Sequence, residues 1–245
     1  MFMGKFDKNI TDEMDSSWEF NEEVTKCFEN MLERSIPSYE TMRHLVDIIL
    51  INHIKSHQLM HTNILDLGSS EGKSINEASQ HLKTNYFLGL ECSEPMLKSA
   101  RKHYRNNINV DFMNIDLREV DELPVKQCGG ILSILTLQFI PIEYRQKIVR
   151  MVYESLHSHG VFIFVEKVLG DSYQTSQIYE DLYYDTKRVN GYSLDEIRDK
   201  KLKLEGVLVP VTNSYNISLL KQAGFKNIDI FWKHLNFVGY IAYKK

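Results

Sequence analysis

From Trp18 to His57 the apolar positions recur at helical spacing: Val24, Phe28 and Met31, then Met42, Leu45, Val46 and Ile49. This period predicts two helices. They are separated at Arg34-Ser-Ile-Pro-Ser-Tyr39, because Pro37 disfavours a helical backbone at Ile36. Beyond His57 short apolar runs alternate with helical stretches. Strands are predicted at 63–67, 86–90, 110–114, 130–136 and 161–167, and helices at 74–83, 94–106 and 142–157. That alternation predicts a parallel sheet with helices on both faces. Pro95 falls near the start of its helix, where a missing N–H is no loss. Residues 173–205 read as a helical insertion rich in tyrosine and charge, and 225–231 with 237–243 as an antiparallel hairpin. Residues 1–17 are polar and expected to be loosely ordered. No linker composition divides the rest, so 18–245 is expected to be one domain, with its N-terminal helices covering a ligand.

The chemistry concentrates where the first strand ends. Asn63-Ile-Leu-Asp-Leu-Gly-Ser-Ser-Glu-Gly72 passes from an apolar run into a glycine loop and then a helix. This order brings backbone close to a nucleotide-like ligand. The second strand, Tyr86-Phe-Leu-Gly-Leu90, ends in Glu91, 25 residues after Asp66. An acid there can take both hydroxyls of a ribose. The spacing is Asp-x-Gly-x-x-x-Gly, not the Gly-x-Gly-x-x-Gly that faces a pyrophosphate. It resembles motif I of class I S-adenosylmethionine (SAM)-dependent methyltransferases, whose cofactor has a carboxylate and a sulfonium but no phosphate. In that fold class Asp116 after the third strand would accept the adenine amino group while Leu117 packs on the ring. Cys92 would lie beside the ribose or adenine, or act as a packing thiol. Thr136, Gln138 and Phe139 end the fourth strand, where sheet architecture places the reaction centre. Glu166 and Lys167 end the fifth, lining the cleft as a charge pair or capping the sheet.

Composition narrows the class. Twenty-nine basic against 33 acidic residues give a net charge of −4, which supplies no basic field for nucleic acid as a direct partner. Three cysteines without paired spacing argue against a disulfide framework, and no Cys/His cluster has zinc spacing, so no metal is expected. No apolar stretch is long enough to span a membrane, and a cytoplasmic protein is expected.

Several segments together closely resemble the carboxy-S-adenosylmethionine synthase family: Trp18-Glu-Phe-Asn-Glu-Glu-Val24, Arg34-Ser-Ile-Pro-Ser-Tyr39, Asp66-Leu-Gly-Ser-Ser70, Thr136-Leu-Gln-Phe139, Glu166-Lys167 and Asp185-x-Lys-Arg-x-Asn-Gly-Tyr-Ser193. The resemblance implies a seven-stranded, mostly parallel Rossmann-like α/β sheet closing in the antiparallel hairpin. It also implies a homodimer whose insertion lends residues across the interface. By motif, Tyr39, Gly68, Ser69, Ser70, Glu91, Cys92, Asp116 and Leu117 become cofactor contacts. Two positions depart from the family. Lys201 stands where the family's arginine, reached by the partner subunit, grips an extra carboxylate, and Ile134 replaces an asparagine. A lysine is a point charge and does not reproduce the two-pronged grip of an arginine. The reading is therefore a SAM-dependent methyltransferase acting on a small-molecule or carrier-bound acceptor, with Tyr39, Gln138 and Lys201 as candidate catalytic groups. The alternatives are a carboxy-SAM synthase using SAM and prephenate for tRNA wobble-uridine modification, and a non-catalytic SAM-binding subunit.

Overall fold

The computed structural model describes residues 20–245, so the expectation for residues 1–17 lies outside the described residues. Helix α1 (Glu22–Ser35) starts at Asn21, whose side chain accepts from the N–H groups of Glu23 and Val24. It ends at Ile36, before Pro37 as expected. Ser38 takes a left-handed conformation (φ 53°) and turns the chain into α2 (Tyr39–Ser56).

Five strands follow the predicted parallel order: β1 (Asn63–Leu67), β2 (Tyr86–Glu91), β3 (Val110–Asn114), β4 (Cys128–Ile134) and β5 (Leu156–Leu169). Between them run α3 (Asn76–His81), α4 (Glu94–Tyr104) and α5 (Ile142–Ser155). The insertion forms α6 (Tyr173–Val189) and α7 (Leu194–Leu204), the latter opened by a reciprocal Ser193–Glu196 cap. The two-residue β6 (Val211–Thr212), α8 (Asn213–Ala223) and the antiparallel pair β7 (Asn227–His234) and β8 (Phe237–Tyr243) complete the chain. The continuous sheet has seven strands in the order β3-β2-β1-β4-β5-β8-β7, and β6 pairs with β5 off this path. The seven-stranded, mostly parallel α/β reading is borne out, hairpin included.

Strand alternation sorts the core into two layers. Ile64, Phe87, Leu132, Ile163 and Val165 face one way, with Met42, Val46 and Leu50 of α2 and Leu97 of α4. Leu65, Leu88, Ile131, Phe162 and Phe164 face the other, with Ile148 and Val152 of α5 and Leu220 of α8. A small satellite core joins α1 to the rest: Val24, Cys27 and Met31 pack on Met96, with Leu204 and Val207 beside them.

The structure corrects some boundaries. The helix expected at 74–83 is a 3-10 turn at 73–75 followed by the short α3. Strand β4 stops at Ile134, since Leu135 is left-handed (φ 62°). Strand β5 begins at Leu156, not 161. Its register jumps from Leu156 to Val161 opposite Cys128 and Gly130, so His157–Gly160 bulges out of the ladder. Helix α8 had no counterpart in the sequence reading, although Thr212 caps its start and left-handed Gly224 (φ 116°) ends it.

Candidate functional site

The glycine loop sits at the carboxyl edge of β1, beside the carboxyl edge of β2. Gly68 (φ 67°) and Gly72 (φ 82°) adopt left-handed backbone. A Cβ on Gly68 would collide with Thr136, and one on Gly72 would lie 2.6 Å from Phe112 and 2.8 Å from Tyr104. The loop is thus wedged between the turn after β4 and the α4–β3 unit.

The backbone that this loop brings close to a ligand keeps the N–H groups of Gly68, Ser69, Ser70 and Gly72 for the protein itself. Gly68 and Ser69 both donate to Leu90 O (2.8 and 3.0 Å), and Gly72 donates to Ser69 O (2.8 Å). Ser70 N–H donates to Glu91 Oε2 at 3.0 Å. With those donors spent inside the protein, the loop is no phosphate nest. It presents carbonyls and small side chains instead, which suit a cationic, phosphate-free ligand.

Glu91 is fixed where β2 ends. Its Oε1 accepts from the N–H groups of Cys92 and Ser93, both at 2.9 Å, so three backbone donors aim one carboxylate. The neighbouring Cys92 thiol is pushed up to about 11, by burial first and then by Glu91. It is therefore no nucleophile at neutral pH. Asp116 lies beyond β3 and is forked by Arg118, whose Nε and Nη2 reach its oxygens at 2.5–3.0 Å. Those bonds hold the carboxyl below the usual carboxylate range. Leu117 is buried in the layer opposite α2.

Tyr39, at the first turn of α2, is 5% exposed, and burial raises its hydroxyl far above the usual phenol range. One turn on, Arg43 donates to Ser74 Oγ at 2.7 Å. This buried guanidinium faces two carboxyls that the sequence reading did not connect. Asp66, fully buried, is pushed up to about 7 by burial, opposed by Arg43 and Ser74. Asp47, on α2, is pushed to about 6 for the same reason, again opposed by Arg43. The only sequence signal was a set of polar residues on the inner face of an otherwise apolar helix.

At the far side of the cleft the fourth strand ends differently from the expected polar edge. Thr136 Oγ1 donates to Leu67 O (2.8 Å), tying the turn to the cofactor loop. Gln138, offered as a candidate catalytic group, is 4% exposed. Its Oε1 accepts from Lys167 N–H at 2.8 Å, so its side chain braces β5 and does not point to an acceptor. Glu166 accepts from Leu137 N–H (2.9 Å) and Gln138 N–H (2.7 Å). Burial raises its carboxyl, opposed by Arg145. Arg145, 2% exposed, donates to the carbonyls of Ile140, Gln138 and Val209. Glu166 and Lys167 form no pair: the first points into the α5 layer, the second toward Tyr183 at 4.5 Å from its ring centroid. Lys201 lies on α7, bonded to Glu180 Oε1 at 2.6 Å, and Tyr184 donates to the same oxygen at 2.7 Å. The structure thus gathers Gly68, Ser69, Ser70, Glu91 and Cys92 at one edge and leaves Lys201 in the insertion.

A cradle that any Cβ would fill and an aimed carboxylate one strand away fit an adenosyl amino acid. The sequence comparisons agree. A methyltransferase-domain family model matches residues 64–160. A carboxy-S-adenosyl-L-methionine synthase of Nautilia profundicola is 36% identical over 97% of this chain and 99% of its own. The enzyme of the same name from Staphylococcus epidermidis is 37% identical over 93% of this chain and 97% of its own. Among solved structures, an O-methyltransferase-like protein from Nostoc punctiforme superposes with a TM-score of 0.60 at 15% identity, covering 91% of this chain and 60% of that one. Human N-acetylserotonin methyltransferase in complex with SAM gives 0.51 at 16% identity, covering 75% of this chain and 47% of its own. At these identities the structures speak to the fold alone.

Proposed function

The chain belongs to the carboxy-S-adenosyl-L-methionine synthase family and is a SAM-dependent transferase, and from that premise we propose that it converts SAM into its carboxylated form. The observation that carries this reading is the relationship to enzymes of that name along 97% of the chain, insertion included, not across the cofactor loop alone. Bound SAM would supply a sulfonium that acidifies its methyl C–H, so that the methyl carbon could give up a proton and take the CO₂ that prephenate releases on aromatising, the hydroxide lost with it leaving with that proton as water.

The residues have separable tasks. Glu91 would take the ribose hydroxyls on the lone pairs its three backbone donors leave open. Asp116 would accept the adenine amino group once Arg118 shares its oxygens, and Leu117 and Cys92 would pack beside the base. Gly68, Ser69 and Ser70, with Tyr39 above them, would hold the amino-acid end. Excluding water and fixing the sulfonium against its partner is the main service such a site can give. Prephenate as carboxyl donor, a homodimer completed across the insertion, a cytoplasmic setting and a downstream role in tRNA wobble-uridine modification belong to the same proposal. Direct contact with nucleic acid does not.

A second reading, methyl transfer from unmodified SAM to a small acceptor, is favoured by one pair of observations. Lys201 is engaged by Glu180, and Ile134 offers no polar atom where the family has an asparagine. Mass spectrometry of the nucleoside that co-purifies with the protein separates the two. SAM carrying the mass of one added CO₂ supports the synthase reading. SAM or S-adenosylhomocysteine alone, with no carboxylated product after incubation with prephenate, overturns it in favour of methyl transfer.

A further inference from the structure

We infer that Lys167 is the group that binds the carboxylate of the co-substrate, an assignment that rests on the synthase reading and locates its anion site in this chain. Lys167 lies near the carboxyl end of β5, beside the turn after β4. Gly68 is backed by Thr136, Gln138 follows Thr136 by two residues in the same 3-10 turn, and Gln138 Oε1 accepts from the Lys167 N–H. The backbone of Lys167 therefore stands beside the turn that backs the cofactor loop, and its ammonium lies over Tyr183, which shares a core layer with Tyr39.

Its surroundings are those of a cation awaiting an anion. Lys167 Nζ lies over the buried Tyr183 ring, 4.5 Å from its centroid, and no ion pair joins it to a described carboxylate. Lys187 lies over the same ring at 4.8 Å. A ring face attracts a cation by about 0.5–2 kcal/mol but carries no net charge, so it does not neutralise the Lys167 ammonium. The charged and titratable groups facing Lys167 are Tyr183, Lys187 and Glu180 of α6 and Lys201 of α7. Glu180 is the only acid among them, and it is held by Lys201 and Tyr184. Burial first, with Lys187 and Lys201 adding to it and Tyr183 and Glu180 opposing, brings the Lys167 ammonium below its ordinary range. A bound carboxylate would offset both the burial and the like charge, and low-dielectric walls would focus the field on it.

Other candidates fail on geometry. Lys201 already has its carboxylate partner. Arg145 spends its donors on three carbonyls beneath the turn. The cavity of about 480 Å³ beside Tyr39 is lined by Glu33 and Glu40 and would repel an anion.

Calorimetric titration of prephenate into the S-adenosylhomocysteine-loaded protein reads binding without turnover. Lys167→Gln is expected to weaken prephenate about 10- to 100-fold, and Lys201→Gln less. Lys167→Arg, which keeps the charge, is expected to recover part of the loss. S-adenosylhomocysteine affinity should hold within about twofold in Lys167→Gln, which separates an anion contact from a general structural defect. Wild-type affinity for prephenate should fall at alkaline pH earlier than an ordinary lysine would dictate, and Lys167→Gln should lose that dependence. Unchanged prephenate binding in Lys167→Gln, or a larger loss in Lys201→Gln, overturns the assignment. If the wild type ignores prephenate, the synthase reading fails by itself. Lys167 is then judged with benzoate as the anionic probe, and equal benzoate affinity in wild type and Lys167→Gln, or none in either, overturns it.

Discussion

The two sides of the cleft are built by different means. The cofactor side is backbone: left-handed glycines, N–H groups tied to Leu90 O, and a carboxylate aimed by three main-chain donors. The acceptor side is side chain: Glu166, Arg145 and Gln138 brace the turn after β4, while Lys167 rests on Tyr183 from the insertion. Backbone geometry tolerates change in neighbouring side chains and suits a cofactor shared by many enzymes. A side-chain wall can be rebuilt residue by residue, so that is where specificity for one co-substrate would reside.

The largest expected effect breaks the acceptor wall. Glu166→Ala leaves the buried N–H groups of Leu137 and Gln138 without their acceptor, and should cost about 2–4 kcal/mol of stability. Urea denaturation of the variant measures it. A loss below about 1 kcal/mol would mean the turn is held by something other than this carboxylate. Next comes the cofactor side. Gly68→Ala puts a Cβ into Thr136 at a backbone angle that L-residues adopt with strain, costing about 1–3 kcal/mol. Its clearer sign is a loss of SAM affinity larger than the loss of stability, read by titration calorimetry. Equal losses would show that the loop is a structural turn and no cradle.

The contrast also explains what the sequence disclosed. The loop from Asp66 to Gly72 and the acid at Glu91 are local patterns, because glycine spacing and strand ends are written in contiguous residues. The parallel sheet followed from the alternation of strands and helices, and the hairpin from two adjacent apolar runs. The acceptor wall has no contiguous signature. Glu166 lies 28 and 29 residues from the N–H groups it accepts, and Arg34 meets Asn190 across 156 residues. Gln138 looked like a polar contact because it follows the fourth strand, but sequence position does not say which way a side chain turns. The spent N–H groups of the glycine loop were equally hidden, since their acceptor, Leu90 O, lies on the next strand.

A third experiment sharpens the comparison through pH. Asp66 lies on the cofactor side, fully buried, with its carboxyl raised to about 7 from 3.8. A raised acid favours folding most below its unfolded value, and that contribution is lost as pH rises to the folded one. Asp66 therefore subtracts stability progressively between pH 3.8 and about 7, by roughly 2–4 kcal/mol in the limit. Asp66→Asn should be free of this loss. The difference in unfolding free energy between variant and wild type should shift in favour of the variant across that window, then stay flat. A difference that does not change with pH would show that Arg43 keeps Asp66 ionised at no cost.

The smallest expected effect is at Lys201, and its smallness is the point. The Lys201–Glu180 pair is surface-exposed, with side chains 60% and 36% accessible. Such pairs contribute about 0–1 kcal/mol, because water screens the charges and two long side chains lose freedom in meeting. Lys201→Ala should change the unfolding free energy by less than about 0.5 kcal/mol. With Lys201 gone, Glu180 is released near Lys167, and the ammonium on Tyr183 gains a competing internal partner. Prephenate affinity in Lys201→Ala should therefore fall modestly while stability hardly moves, and Glu180→Gln in the same background should restore it. If the second substitution restores nothing, Lys201 acts on the anion directly, and the acceptor side is held by the insertion more than by the sheet.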